Sequence, residues 1–277
     1  MIALTTAQII SIVIFLIVMI LIISEKVHRT TAALAGAVAL ILAGIISFDT
    51  GVSHIDFGTL GVLVGMMIFV AVVKNSGIFE YLAIRAAKIA KGNPWMIMVL
   101  FCLITAVLSA FLDNVTTVLL IGPVTFTVCK MLEISPVPFF IVEIIASNVG
   151  GTATLIGDPP NIMIGSATGL TFFDFLMYDG PAVLLILAAA MVCFYFIYGR
   201  KLHVTPEKMA AVMELDENKA IKDKVLLIQS VVVMICVVVA FMLHDALGIQ
   251  SATIAIAAAA VILFLSHGKA DPEEIIA

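Results

Sequence analysis

Residues 109–117 read SAFLDNVTT and residues 147–161 read SNVGGTATLIGDPPN. Together they hold two carboxylates (Asp113, Asp158), amides (Asn114, Asn148, Asn161), hydroxyls (Ser109, Thr116, Thr152) and three glycines (Gly150, Gly151, Gly157), all within stretches otherwise fit for lipid. Carboxylate, amide and hydroxyl oxygens are hard ligands, suited to a small cation or a proton. An ionised Asp at bilayer depth costs about 2.5–3.5 kcal/mol on insertion scales, so it should face a cavity, a partner or an ion. Ser109 and Asp113 are four apart and share a face of any helix that runs through both. Glu143, one turn before Ser147 and Asn148, is either a proton site or the structural partner of a buried hydroxyl or amide. The same residues offer no enzyme: there is no HExxH, nucleophile elbow or Walker loop.

The elements that must position these groups are membrane helices. Of 277 residues, 63% are hydrophobic and 12% charged, and the mean hydropathy is +1.24. Soluble domains run near half apolar and a quarter charged, and the long uninterrupted runs differ from the alternation of a β-barrel. Apolar segments fall at 8–24, 31–47, 58–73, 95–112, 115–129, 137–168, 181–199, 225–243 and 250–266. No basic cluster or aromatic platform points to nucleic acid. Four scattered cysteines read as packing residues.

Alternating spans place all 14 Lys and Arg on one side, while the loops at 48–57, 169–180 and 244–249 carry none. The positive-inside rule then puts the N-terminus outside and the 200–224 linker in the cytoplasm, in a plasma membrane. Segment 78–91 reads as an amphipathic helix on the cytoplasmic surface, and 200–224 as a bridge between two halves.

Segment 137–168 cannot be one helix. Its 32 residues would rise about 48 Å against a hydrocarbon core of about 30 Å. Pro159 and Pro160 lack donors, and Asp158 before them is pushed out of helical geometry. The span must break, and unwound backbone inside a membrane lines a cavity or an ion site. Segments 95–112 and 115–129 leave two readings open: two full spans with an outside turn at FLDNVTT, or a re-entrant hairpin tipped by it. Tyr178–Asp179 resembles one half of an intramembrane aspartyl protease. Its counterpart, Leu155–Ile156–Gly157–Asp158, lacks the first glycine of GxGD and precedes it in the chain, so that reading fails.

An offset of 220 lays 31–44 over 251–264 and span one over 229–243, and an offset one residue shorter lays HIDFG at 54–58 over EEIIA at 273–277. A two-fold repeat would end here about a quarter of the way into its second copy.

SAFLDNVTTVLLIGPVT followed by ASNVGGTATLIGDPPNIMI resembles the ion transporter superfamily of arsenite permeases, sodium/proton antiporters and sodium-coupled dicarboxylate carriers, and within it the branch of the melanosomal P protein. The resemblance implies an all-α polytopic membrane protein: an inverted-repeat transporter half, with a re-entrant hairpin whose tip meets the gap of a broken transmembrane helix. On that pattern, 1–92 are scaffold-type helices plus the amphipathic helix, and 93–180 the transport-type unit, with hairpin 94–132 and broken helix 137–168. Residues 181–199 close the repeat, 200–224 link, and 225–277 begin the second copy. The resemblance places Asp113 and Asn114 at the tip, with Na+ held there. Ser109, Thr116, Asn148, Gly150, Gly151, Thr152, Gly157, Asp158 and Asn161 complete the site, and Glu143 is a candidate proton site.

Dicarboxylate carriers of the superfamily resemble Ser-Asn-Thr at the tip and Gly-Ser-Pro-Pro-Asn at the break. Here two serines are Asp113 and Asp158, and Val115 replaces the threonine. Two added negative charges oppose a dianion and favour cations or protons. The expectation is a non-enzymatic secondary transporter without a cofactor, coupled to Na+ or H+. Its cargo is exchanged sodium and protons, arsenite or another small inorganic ion, with a sodium-coupled anion carrier and a channel-like anion pathway as alternatives. A homodimer in the bilayer is the family expectation.

Overall fold

The computed structural model describes residues 5–266. Lys269 and the 273–277 end of the repeat alignment lie outside the described residues. The described chain folds into α-helices and short 3₁₀ turns, with no strand among the described residues. It is an all-α polytopic membrane protein: among the described residues five helices are long and apolar enough to cross a bilayer, and four shorter helices are also apolar. Two compact units meet in sequence between Asp56 and Phe57.

The first unit holds α1 (Thr6–Ile23), α2 (Arg29–Leu42) and the short α3 (Phe48–Ser53). A reciprocal capping box starts α1: the Gln8 N–H donates to Thr5 Oγ1 and the Thr5 N–H to Gln8 Oε1. The first unpaired donors of a helix are thereby satisfied. α2 packs on α1 at Gly36, where a methyl group would sit 2.4 Å from Val18 Cγ2.

The second unit begins with α4 (Phe57–Lys74) and α5 (Ile78–Ile89). The hairpin α6 (Pro94–Ser109) and α7 (Asn114–Leu132) follows, then α8 (Val137–Gly151), α9 (Pro159–Thr168) and α10 (Phe172–Ile197). The linker contains α11 (Pro206–Met213), and α12 (Lys224–Leu247) and α13 (Ser251–Leu265) end the described chain. α4 and α13 pack along each other through small residues: Cβ atoms added at Gly61 and Gly65 would fall 2.9 Å from Ala252 Cβ and 2.5 Å from the Ala255 carbonyl carbon. In lipid, where burying apolar surface gains little, such backbone approach is what holds helices together.

Three segments depart from the sequence reading. α10 begins at Phe172, so Tyr178–Asp179–Gly180–Pro181 is helical and not part of a loop. The reason is local: Thr171 and Asp174 form a capping box that starts the helix early. α5 does not rest its apolar face on lipid; Phe79, Ala83, Ala86 and Ala87 are buried against α6, α7 and the linker.

The linker is a docked strap. The Lys222 N–H donates to the Ser76 carbonyl at 3.1 Å, and Lys88 Nζ donates to Glu217 Oε2 at 2.5 Å and to the Leu215 carbonyl at 3.1 Å. Lys208 Nζ holds Glu133, the residue that caps α7, at 2.6 Å. Gly77 and Gly92 both have positive φ, 81° and 73°, and a Cβ there would strike the carbonyls of Ala220 and Met209. Only glycine serves both needs.

Gly77→Ala and Gly92→Ala should therefore each loosen the strap, at a cost of about 1 kcal/mol or more. Hydrogen exchange over 206–222 should rise while α6–α8 stay protected. The Lys88 hydrogen bond, followed by backbone bonding, holds the Glu217 carboxyl below its ordinary value of 4.5. This contribution is complete above that value and fades as pH falls through the depressed one, so strap exchange should accelerate on acidification, and less so in Lys88→Ala.

Candidate functional site at the hairpin tip and helix break

Each strand of the site is placed by a helix end. α6 stops at Ser109, a turn of four residues follows, and Asp113 caps α7: its Oδ1 accepts the N–H groups of Val115 and Thr116 at 3.0 and 3.1 Å. An acid at this position satisfies two orphan donors and sits in the positive end of the helix dipole. Opposite, α8 ends at Gly151 and α9 starts at Pro159, where a missing N–H costs nothing because no helical acceptor precedes it. Asp158 is extended (φ −146°, ψ 136°) and caps α9 by position without a side-chain bond to it.

The tip and the break are sewn together. Ser109 Oγ donates to the Ser147 carbonyl at 2.6 Å, Thr154 Oγ1 donates to the Ala110 carbonyl, and Asn114 Nδ2 donates to Asn148 Oδ1 at 2.9 Å. Asn161 Nδ2 reaches back from α9 to the carbonyls of Gly151, Thr152 and Thr154 at 3.4, 3.2 and 2.9 Å. This is how backbone groups freed by the break are satisfied in apolar surroundings. The glycines permit the approach: a Cβ on Gly150 would lie 2.3 Å from the Ala106 oxygen, and one on Gly157 would lie 2.6 Å from the Ser109 oxygen.

The hydrogen bonds that join tip and break bring Asp113 and Asp158, the caps of α7 and α9, to the same junction. Asp113 also borders a cavity of about 20 Å³ with Ile156, Ile162 and the α4 residues Val62, Leu63, Met66, Met67 and Val70. That volume admits about one water-sized particle. Asp113 is the acid that lines this cavity, no Lys or Arg lines it, and Asp158 caps the neighbouring helix start; such a site can hold a cation or a proton.

The residues Ser109, Asp113, Asn114, Asn148, Gly150, Gly151, Thr152, Gly157, Asp158 and Asn161 thus meet at one place, and Thr116 contributes its backbone N–H to Asp113. Their jobs differ. Ser109, Asn161 and the glycines build the junction, whereas Asp113 and Asp158 bring charge to it. Glu143 lies apart, about one and a half turns before Asn148 on α8. It is 1% exposed, its Oε1 accepts from Thr125 Oγ1 at 2.5 Å, and its Oε2 has no hydrogen-bond partner.

Sequence reasoning missed Thr154, Ser147 and Thr125, which carry three of these buried hydrogen bonds. A hydroxyl isolated in an apolar run was the available signal at Thr125. The α4 wall of the cavity carries no such signal, because its residues are ordinary apolar ones.

The chain is similar to known proteins over most of its length. A family model described as citrate transporter matches residues 19–277. An uncharacterized transporter of Mycobacterium bovis is 44% identical over 263 residues, which are 94% of this chain and 61% of that protein. A 46 kDa membrane protein of Mycobacterium leprae is 42% identical over the same shares. The human P protein is 43% identical over 197 residues, 66% of this chain and 23% of its own length. The chain therefore spans about three-fifths of the mycobacterial relatives it matches.

Asn161→Leu keeps the volume and removes the amide that binds three carbonyls. Each buried carbonyl left unpaired costs about 1–3 kcal/mol. Thermal unfolding in detergent should fall clearly for Asn161→Leu and little for Asn161→Gln if the longer amide still reaches.

Proposed function

We propose that this chain, which belongs to the citrate transporter family, supplies the first half of a secondary active ion transporter whose ion site is Asp113, Asn114 and Asp158. Membership makes it a membrane transport protein; the cargo, the coupling ion and the residue roles are our reading. The observation that carries it is the placement of two acids at the helix N-termini of the joined tip and break, one of them, Asp113, lining a cavity of one-particle size. Na+ or H+ suits that charge balance, and exchange of one for the other is the simplest cycle for a pair of carboxylates that bind either. Export of arsenite or another small inorganic ion uses the same site with a different cargo.

The family's description names citrate, which favours a second reading: an anion carried with the cation that neutralises Asp113 and Asp158. Two bare carboxylates repel a dianion, so in this reading the cation binds first. A channel-like anion pathway is a third; its flux would follow voltage with no coupling gradient. Glu143 is assigned as a proton site separate from the tip. The orientation with the N-terminus outside, the plasma membrane and a homodimer complete the proposal.

Because the relatives are longer, the test belongs in a full-length, two-repeat protein in liposomes. Asp113→Asn and Asp158→Asn should each lower cation-coupled flux at least about tenfold, equivalent to about 1.4 kcal/mol. Wild-type rates in both variants would remove the site assignment. Imposing sodium, proton and citrate gradients one at a time separates the cargo readings, and electrical recording without any gradient separates the channel. Glu143→Gln should flatten the pH dependence of transport while leaving sodium binding at the tip intact; an unchanged pH profile returns Glu143 to a structural role.

A further inference from the structure

The most extensive helix pair in the second unit gives α13 a buried face: Ile254, Ala255, Ala258 and Ile262 are 7%, 0%, 5% and 0% exposed. α4 is the helix packed most extensively along α13, with Gly61 and Gly65 letting the backbones close on Ala252 and Ala255. The offset of 220 lays α13 over α2 with apolar residues at matching positions: Leu34 over Ile254, Ala35 over Ala255, Val38 over Ala258, Leu42 over Ile262. On α2 these positions are open: Leu34, Val38 and Leu42 are 62%, 50% and 82% exposed, and Ala35 is exposed as well. α1 covers a different side of α2, at Gly36. One apolar pattern thus occurs twice, once covered and once bare.

We infer that the Leu34–Ala35–Val38–Leu42 face of α2 is the docking surface for a helix of the second repeat, the counterpart of α4. The occupant follows from two observations. The mycobacterial relatives extend well beyond the share this chain covers, 61% of their length. The same offset puts the counterpart of α4 at positions 277–294 of a full-length protein, with small residues expected at 281 and 285 where α4 has Gly61 and Gly65. A four-residue spacing of small residues is what close helix approach in lipid requires. The two contacts, α4 on α13 and its counterpart on α2, then exchange partners between the halves, each repeat lending one helix to the other. This inference rests on the two-repeat reading of the function.

Disulfide mapping in the full-length protein, freed of its native cysteines, tests it. Cysteine at Ala35 is paired in turn with cysteine at each of positions 281–288; Gly61→Cys with Ala252→Cys is the reference, since Cβ atoms there would be 2.9 Å apart and a separation of the helices by about 0.9 Å brings them to the roughly 3.8 Å of bonded cysteines. At least one Ala35 pair should close within the monomer to an extent comparable with the reference. A second measurement needs no substitution in a tight contact: Leu34→Cys should resist a lipid-soluble maleimide that readily labels Leu185→Cys, whose position is 74% exposed. Labelling of Leu34→Cys as fast as Leu185→Cys overturns the inference. So does an Ala35–Ala35 cross-link between subunits, which would make the occupant a second copy. Absence of a second polar hairpin and Gly/Pro break after residue 277 would instead remove the two-repeat reading itself. Their presence without the cross-link removes only this docking.

Discussion

A backbone that leaves its helix inside a membrane must find hydrogen bonds without water, and this requirement governs the second unit. Pro159 and Pro160 make the interruption after Gly151 unavoidable, so every nearby element is arranged to receive it. Asn161 returns from the far side to bind three carbonyls, and Thr154 spends its hydroxyl on the hairpin turn. The hairpin in turn must stop at Ser109 to present that carbonyl. Gly150 and Gly157 follow, because any side chain would hold the two backbones apart. The acids occupy what this construction leaves: two helix starts whose N–H groups and dipoles favour negative charge.

Stability and function are divided among neighbouring residues of the same motif. Ser109, Thr154 and Asn161 are committed to backbone carbonyls. Asp158 has no such commitment, and Asp113 gives one oxygen to the amides of its own helix. A motif that reads as one list of polar residues therefore contains a rigid frame and a small set of charged groups mounted on it.

Much of this was legible because proline, glycine and charge in an apolar run have few explanations. The break between Gly151 and Pro159 follows from length and two prolines, whereas the caps that bound the hairpin helices, Asn93 with Pro94 at N1 and the acid Asp113, are seen only in the structure. Choosing between a re-entrant hairpin and two full spans is beyond local physics, since both satisfy the charge pattern and α7 is itself long and apolar enough to cross; the contact of Ser109 with Ser147, 38 residues apart, leaves no periodic trace in the sequence. The strap was illegible for a related reason. Gly77 and Gly92 look like ordinary turn glycines, and the chain they accommodate lies more than a hundred residues away. α10 was misjudged at its start because Tyr178–Asp179 suggested a polar loop, whereas the capping pair Thr171 and Asp174 decided the matter earlier.

The strap also changes where the molecule can be divided. By composition, 200–224 is the flexible seam at which one would sever the gene to obtain separate halves. Yet its attachments, at Ser76, Lys88, Gly92 and Glu133, all belong to segments made before it. It can settle as soon as it leaves the ribosome, with nothing owed to what comes later. On the two-repeat proposal the articulation between the halves is the short passage from Lys222 into α12, and a split protein cut upstream of it would strip the first fragment of part of its own fold.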